Sequence, residues 1–265
     1  MIKKVSGIVF GVLVVLFFIC TFMTNYGFSA TLDKPRVSLT FYDGYDNLYS
    51  VVRPILNRYS IPATTYIVTD WVDSPGHITW SQIQYLYWNL GWEIGNHTRS
   101  HAHLTTLSDS QIQDQIIQAQ NDFINHGIMN VVSLASPYGE FDYRTTQAVK
   151  EIGITTQRQA WTEDDAFNYP DNYDFDPLAI NVVSVKKSTL FSQIKTRIDQ
   201  AVNEKKWLVL VIHEVVNTPA DDYQISSLTM QNIAYYIYTL KLTGKIEPVT
   251  ISRGAGRVMY YQNLP

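Results

Sequence analysis

Residues 37–44 read Val-Ser-Leu-Thr-Phe-Tyr-Asp-Gly, with Val37, Leu39 and Phe41 at every second position and a turn-forming Asp-Gly pair at the end. That alternation argues a β-strand from Val37 to Phe41 that stops at Asp43-Gly44. A helix is expected next, from about Leu48 to Tyr59, because Val51, Val52, Ile55 and Leu56 share one face. The same order then recurs along the chain. Ala63–Val68 reads as a second strand, Ser81–Leu90 as a helix capped by Gly91, and Trp92–Asn96 as a third strand. Ser108 and Gln111 form a capping box for a helix to about Asn125 whose buried stripe is Ile112, Ile116, Ala119 and Phe123. Val131–Ala135, Ile154–Thr156, Ala179–Val183 and Trp207–Ile212 are further strands, and Pro248–Ile251 is the last. Helices are expected at Thr145–Glu151, Leu190–Glu204 and Ser227–Leu242. Strands alternating with helices and no internal repeat imply an α/β fold: a distorted (β/α) barrel of about seven to eight strands, a single domain over residues 33–265.

The composition agrees with one large core. The 265 residues are 46% hydrophobic, 13% aromatic and 17% charged, which excludes a disordered, collagen-like or coiled-coil chain. A formal net charge of -4, with no Lys/Arg run outside the N-terminus, excludes the basic footprint of a nucleic-acid binder. Lys3 and Lys4 precede an uncharged run from Val5 to Ala30, so residues 1–30 read as a signal peptide or membrane anchor. The domain is therefore expected to be exported: secreted, periplasmic or anchored at the cell envelope, touching the membrane only through that segment. Losing residues 1–30, whose only charges are those two lysines, would move the net charge from -4 to -6. Cys20, the single cysteine, lies inside the apolar run, so the exported domain has no disulfide, thiolate nucleophile or Cys-type zinc site.

Chemistry is expected where Asp43, His97, Tyr138 and His213 fall, each just beyond the C-terminal end of a strand, where such barrels build their sites. His97 and His101 are spaced by four, which lets two imidazoles face one point if the segment turns helically. With Asp43 they make a set of two histidines and one carboxylate that leaves positions open for water and substrate. His103 reads as a solvated loop residue, and His77 and His126 as surface or cap residues. Asn96-His97-Thr98 matches a glycosylation acceptor, but a glycan there would cover the proposed metal, so the match is read as chance.

These residues resemble the polysaccharide deacetylases of the NodB-homology type, carbohydrate esterase family four, over nearly the whole exported domain. Thr40-Phe41-Tyr42-Asp43-Gly44 is similar to the family's Thr-Phe-Asp-Asp-Gly motif, and His97-Thr98-Arg99-Ser100-His101 to its His-Ser/Thr-x-x-His motif. The resemblance implies metal ligation by Asp43, His97 and His101, with one divalent ion, zinc first and cobalt or nickel as alternatives. Ser136-Pro137-Tyr138-Gly139 resembles the end of Arg-x-Pro-Tyr-Gly, which implies that the Tyr138 backbone N–H helps hold an oxyanion. Leu210-Val211-Ile212-His213 resembles Leu-x-x-His, which implies a general acid at His213 and an acyl-pocket wall at Leu210. An N-acetylated glycan is the implied substrate.

Two positions depart from the pattern. Ala135 stands where many members have Arg; relatives that act on poly-N-acetylglucosamine often have Ala there, which points to that branch. Tyr42 occupies the place of the first Asp, the general base, and a phenol with an ordinary pKa near 10 is a poor base at neutral pH. Asp46, three residues beyond Asp43, is the expected substitute. The family's remaining motif carries an Asp near the catalytic His, for which Asp164, Asp165 and Asp171 are the candidates. The expected activity is a metal-dependent N-deacetylase slowed by Tyr42. The rival is a catalytically degenerate protein that binds glycan without turnover. A zinc peptidase fails because Asn217 stands where a second His would be needed after His213-Glu214, and no Gly-x-Ser-x-Gly elbow supports a serine hydrolase.

Overall fold

The computed structural model describes residues 34–158 and 167–256. The N-terminal apolar run, Cys20, Asp164 and Asp165 lie outside them. No helix among the described residues is long and apolar enough to cross a membrane.

Strand β1 (Arg36–Phe41) leads into a π-turn at Leu48–Val52 and helix α1 (Arg53–Arg58). Then come β2 (Thr64–Ile67), α2 (Trp80–Leu90), β3 (Glu93–Asn96), α3 (Asp109–Asn125), β4 (Ser133–Ala135), α4 (Tyr143–Glu151) and β5 (Thr156–Arg158). After β6 (Phe167–Asn168) and β7 (Val183–Ser184) follow α5 (Phe191–Asn203), β8 (Trp207–Ile212), β9 (Glu214–Val216), β10 (Gln224–Ser226), α6 (Ser227–Leu242), β11 (Glu247–Pro248) and α7 (Ile251–Gly254). The main sheet runs in the order β5-β4-β3-β2-β1-β8-β6, with β11 on β1 and β7 on β8. It curls into an incomplete barrel. The segment 180–184 reaches both sides of the gap: Ile180 bridges Arg158 at the end of β5, while Val183 and Ser184 pair with Leu210 and Val211.

Burial on both faces explains why the inner strands read as nearly unbroken apolar runs. In β8 every residue is buried. Trp207, Val209 and Val211 face the barrel interior with Tyr42 and Tyr66, while Leu208, Leu210 and Ile212 join the core under the helices. The caps expected at Ser108 and Gly91 are present, and Thr79 adds one that was not expected. Thr79 with Gln82 and Ser108 with Gln111 form capping boxes, and Gly91 ends α2 at φ 63°, a left-handed conformation that glycine takes without a Cβ clash.

Some elements differ from expectation. β5 begins two residues later than the apolar pattern of Ile154–Thr156 suggests, because Ile154 packs with α3 and α4 residues. The expected strand at Ala179–Val183 is split into the Ile180 bridge and β7. The short antiparallel β6 carries too few residues for a periodic signal. Pro248–Ile251 divides into a two-residue strand and α7, since Thr250 turns the chain into a helix. That helix plugs the end of the barrel remote from the site. Ser252 donates from both its N–H and hydroxyl to the buried Glu93 Oε2, at 2.9 and 2.8 Å, and Arg36 donates to the Gly254 carbonyl.

Gly95 in β3 faces the Tyr66 ring, and a Cβ built there would meet Tyr66 Cδ1 at 2.4 Å. Tyr66 is fully buried and cannot retreat. Gly95→Ala should therefore destabilise the domain by about 1–3 kcal/mol through overpacking. Thermal unfolding checks this; an unchanged midpoint would show that the interior is looser than described.

Candidate metal centre and active site

Four strand ends supply the site. Asp43 follows β1, His97 follows β3, Tyr138 follows β4 and His213 follows β8, and all four line one cavity of about 400 Å³. His97 Nε2 lies 3.2 Å and His101 Nε2 3.6 Å from Asp43 Oδ1. Asp43, His97 and His101 form the one group of three ligand-type side chains among the described residues that could hold a metal ion, their ligand atoms within 4.8 Å of one another.

The two histidines converge without the helical turn that their spacing suggests. Residues 97–101 are irregular, and Thr98 and His101 take positive φ of 67° and 60°. Asn96 stabilises that path. Its side-chain oxygen accepts from the Thr98 N–H at 2.7 Å, its amide donates to the Ile116 carbonyl of α3 at 3.1 Å, and the Thr98 hydroxyl accepts from the His101 N–H. Because Asn96 is fully buried, it cannot carry a glycan. Asp43 and Tyr138 also take positive φ, 66° and 58°. Three of these four non-glycine residues in a costly backbone region, Asp43, His101 and Tyr138, line one cavity, and Thr98 lies between the two histidines of the loop.

His97 Nδ1 lies 2.6 Å from the Ala135 carbonyl, which can only accept, so Nδ1 carries the proton. In neutral His97 the other nitrogen is then bare and faces a carboxylate oxygen at 3.2 Å. Two lone pairs brought together in a buried site call for a cation between them, and the donor set suits a borderline divalent metal. Burial opposes the charge of Asp43, but His97, His213 and His101 gathered around it hold its pKa below the ordinary 3.8. Burial, reinforced by neighbouring imidazoles, holds both His101 and His213 down to about 4, with Arg158 also acting on His213.

Tyr42 fills the barrel interior beneath these groups. Only 4% exposed, its ring stacks on His97 at 5.3 Å and tilts against His213 at 4.6 Å, and its hydroxyl is buried without a hydrogen-bond partner. The Arg158 guanidinium lies over that ring, 3.3 Å from its centre. Arg158 pairs in register with Ala135 on the adjacent strand, so a guanidinium enters the interior one strand away from the position occupied by Ala135.

The remaining expectations resolve as follows. Leu210 is fully buried in the helix-facing core and is not among the residues lining the cavity, because β8 alternation points it outward. Asp46 is exposed, its N–H donating to the Gly76 carbonyl, and it is likewise outside the lining. Asp171 lies 3.5 Å from Arg36, at the opposite end of β1 from the cavity. His103 is a half-exposed loop residue, stacked on Tyr138 at 3.7 Å and paired with Glu140 at 3.1 Å. His77 stacks on Tyr45, and His126 caps α3 against Trp80. Of the tryptophans, Trp71 lines the cavity and touches His101, Trp92 is core, and Trp88 is exposed. Tyr45, Glu214, Asp221 and Tyr223 also line the cavity, and sequence reasoning did not find them. The only signal was that Tyr45 and Glu214 lie within two residues of motif positions.

An α/β barrel with two histidines and a carboxylate at the carboxyl ends of its strands defines a class of metal-site protein. The family model described as polysaccharide deacetylase matches residues 29–157, a stretch that includes Asp43, His97, His101 and Tyr138. The chain is 25% identical over 129 residues to a peptidoglycan-N-acetylglucosamine deacetylase of Bacillus cereus, covering 48% of this chain and 58% of that protein. It is 28% identical over 153 residues to a poly-beta-1,6-N-acetyl-D-glucosamine N-deacetylase of Staphylococcus epidermidis, covering 51% and 53%. It spans about half the length of the curated relatives it matches. Among solved structures, a pseudoenzyme of carbohydrate esterase family 4 from Bacillus anthracis aligns with TM-score 0.54 at 18% identity over 85% of this chain and 66% of its own. A mutant of that pseudoenzyme with restored enzymatic activity aligns at TM-score 0.55 and 20% identity, over 85% and 69%. At these identities the structural likeness is one of fold.

The two depressed imidazoles give a pH signature for the metal-free protein. Their folded values near 4 lie below the ordinary 6.5, so the unfolded chain binds more protons between those values. Their contribution is full above about pH 6.5 and is lost as pH falls towards 4. Urea unfolding of chelator-treated protein should show stability falling across that window by a few kcal/mol at most. A flat profile there would contradict the burial of both rings.

Proposed function

We propose that the chain is a metal-dependent hydrolase that removes N-acetyl groups from an amino-sugar glycan of the cell envelope or extracellular matrix, working slowly because Tyr42 replaces the usual base. The observation that carries this reading is the bare His97 nitrogen facing Asp43, with His101 beside them and His213 in the same cavity. The names of the Bacillus cereus and Staphylococcus epidermidis relatives support an N-acetylglucosamine polymer. Residues 1–30 are read as the export signal or anchor of a domain spanning 33–265.

Asp43, His97 and His101 would hold the divalent ion, zinc first, which supplies Lewis acidity for an acyl carbonyl and lowers the pKa of water. The protein's own groups do the rest. Tyr138 is the middle residue of a single turn, Pro137–Gly139, whose first internal bond runs from the Gly139 N–H to the Ser136 carbonyl. Its own N–H precedes that bond and is assigned to the oxyanion that forms when water adds to the acyl carbon. His213 is neutral in the free protein, so the proton it delivers to the departing amine nitrogen is one released by the attacking water. Acetate and a free amine result, with each proton accounted for. Tyr42 offers no base. General-base catalysis contributes about 100 to 10,000-fold, so its loss slows turnover without removing the ion's share.

Calorimetric titration with zinc tests the ligand assignment. Asp43→Ala, His97→Ala and His101→Ala should each abolish or greatly weaken binding, while His213→Ala should leave it nearly intact; equal weakening by His213→Ala would overturn the roles.

Acetate release from N-acetylglucosamine oligomers, with and without added zinc, tests the activity. Tyr42→Asp should raise the rate roughly 100 to 10,000-fold. The new carboxylate would meet the Arg158 guanidinium now lying against the Tyr42 ring, which would keep it ionised. The Bacillus anthracis pseudoenzyme, whose mutant has restored activity, gives this design a fold-level parallel. Removing a buried ring costs stability, so Tyr42→Phe is the control for packing. Because the Tyr42 hydroxyl has no partner, Tyr42→Phe should keep wild-type stability. No acetate from the natural protein or from Tyr42→Asp, across several glycans and metals, would sink the hydrolase reading and leave glycan binding alone.

A further inference from the structure

The wall of the cavity beside His213 carries two carboxylates that the chemistry above does not use, Glu214 and Asp221. Glu214 is held rigidly. Its Oε1 accepts from Asn47 Nδ2 at 2.7 Å and its Oε2 from Gln224 Nε2 at 2.6 Å, which fixes the start of β9 against both the first loop and β10. Asp221 accepts from the Tyr223 N–H at 2.8 Å. All of these donors are neutral, and neither carboxylate makes an ion pair among the described residues. The described residues lining the cavity include no Lys or Arg. Both charges therefore remain uncompensated towards the cavity. Two aromatic rings accompany the carboxylates: Tyr45, stacked on His77, and Tyr223, 5.0 Å from the His213 ring.

Aromatic faces beside uncompensated carboxylates are the chemistry that recognises a sugar ring bearing a cation. We propose that this wall is a subsite for a glucosamine residue with a free ammonium group, next in the chain to the N-acetylated residue that reacts. The inference rests on the deacetylase reading of the same cavity and narrows its substrate to partly de-N-acetylated glycan. Each amine released then improves the fit of the chain for the next attack, whereas carboxylate- or phosphate-bearing glycans are repelled. Asp43 is not free to serve as the cation acceptor, since it belongs to the ligand group, and neither Glu214 nor Asp221 falls within that group.

Calorimetry on the purified full chain decides the matter, with two glucosamine tetramers as probes: one fully N-acetylated, the other carrying a single free amine beside an acetylated residue. A charge-assisted bond to a half-buried carboxylate predicts that the amine-bearing tetramer binds roughly ten- to hundredfold more tightly at low salt, with the ratio shrinking as salt rises. In the double variant Glu214→Gln, Asp221→Asn the ratio should fall to near one. Asp221→Asn alone, in an exposed loop, should lower it partway and guards against loosening of β9 by the change at Glu214. Equal binding by the natural protein, or an unchanged ratio in the double variant, overturns the subsite. Acetate is measured in parallel. Absence of acetate from both tetramers counts against the deacetylase reading while the binding ratio still decides the subsite. Acetate with no preference in binding retains the reading and rejects the subsite.

Discussion

The arrangement at the carboxyl ends of the strands depends on where His97 keeps its proton. The bond from Nδ1 to the Ala135 carbonyl joins β3 to β4 and leaves the second nitrogen bare towards Asp43. A ring turned over would put an N–H towards the carboxylate and satisfy the pair without any cation. The strand pairing that fixes Ala135 beside His97 therefore decides whether the cavity attracts a metal. Asn96, one residue earlier, anchors the same loop to α3, so the ligand loop is attached to a strand and a helix at once.

The sequence was readable wherever a pattern repeats over several residues. β1, β2, β3 and β8 follow their apolar runs, and α3 starts at the capping box that Ser108 and Gln111 indicate. Asp43, His97, Tyr138 and His213 could be placed because each follows such a run. Features made by one or two residues were not readable. The ligand loop resembles a helical spacing yet is built from positive φ, a property of Thr98 and His101 that composition does not announce. Leu210 was assigned to the pocket from its motif, but alternation within β8 turns it outward. Asp46 is close to the site in sequence, whereas the acidic groups that reach the cavity, Glu214 and Asp221, come from the far end of the domain. Which carboxylate approaches a site is set by sheet closure, and one sequence does not reveal that.

Tyr42 shows how a position at the end of a central strand, next to the cavity, can be taken up by packing. Its ring joins His97 and His213 above to Tyr66 and Arg158 below, and it takes part in the inner core with Trp207, Val209 and Val211. Its ring is a wedge between the site and the interior. The small Ala135 on β4 pairs with the large Arg158 on β5, whose guanidinium fills the interior volume beside Tyr42.

The positive φ angles of Asp43, Thr98, His101 and Tyr138 have an evolutionary consequence. Each conformation is cheaper for glycine or asparagine than for the residue present, so replacements that delete a ligand also relieve backbone strain. Drift under selection for folding alone would erode these positions first, while the buried strands beneath them persisted. A barrel of this kind is prone to outlive its own chemistry. Asp43 and His101, two of the three side chains grouped for a metal, are held in such conformations, so keeping them there costs the fold stability.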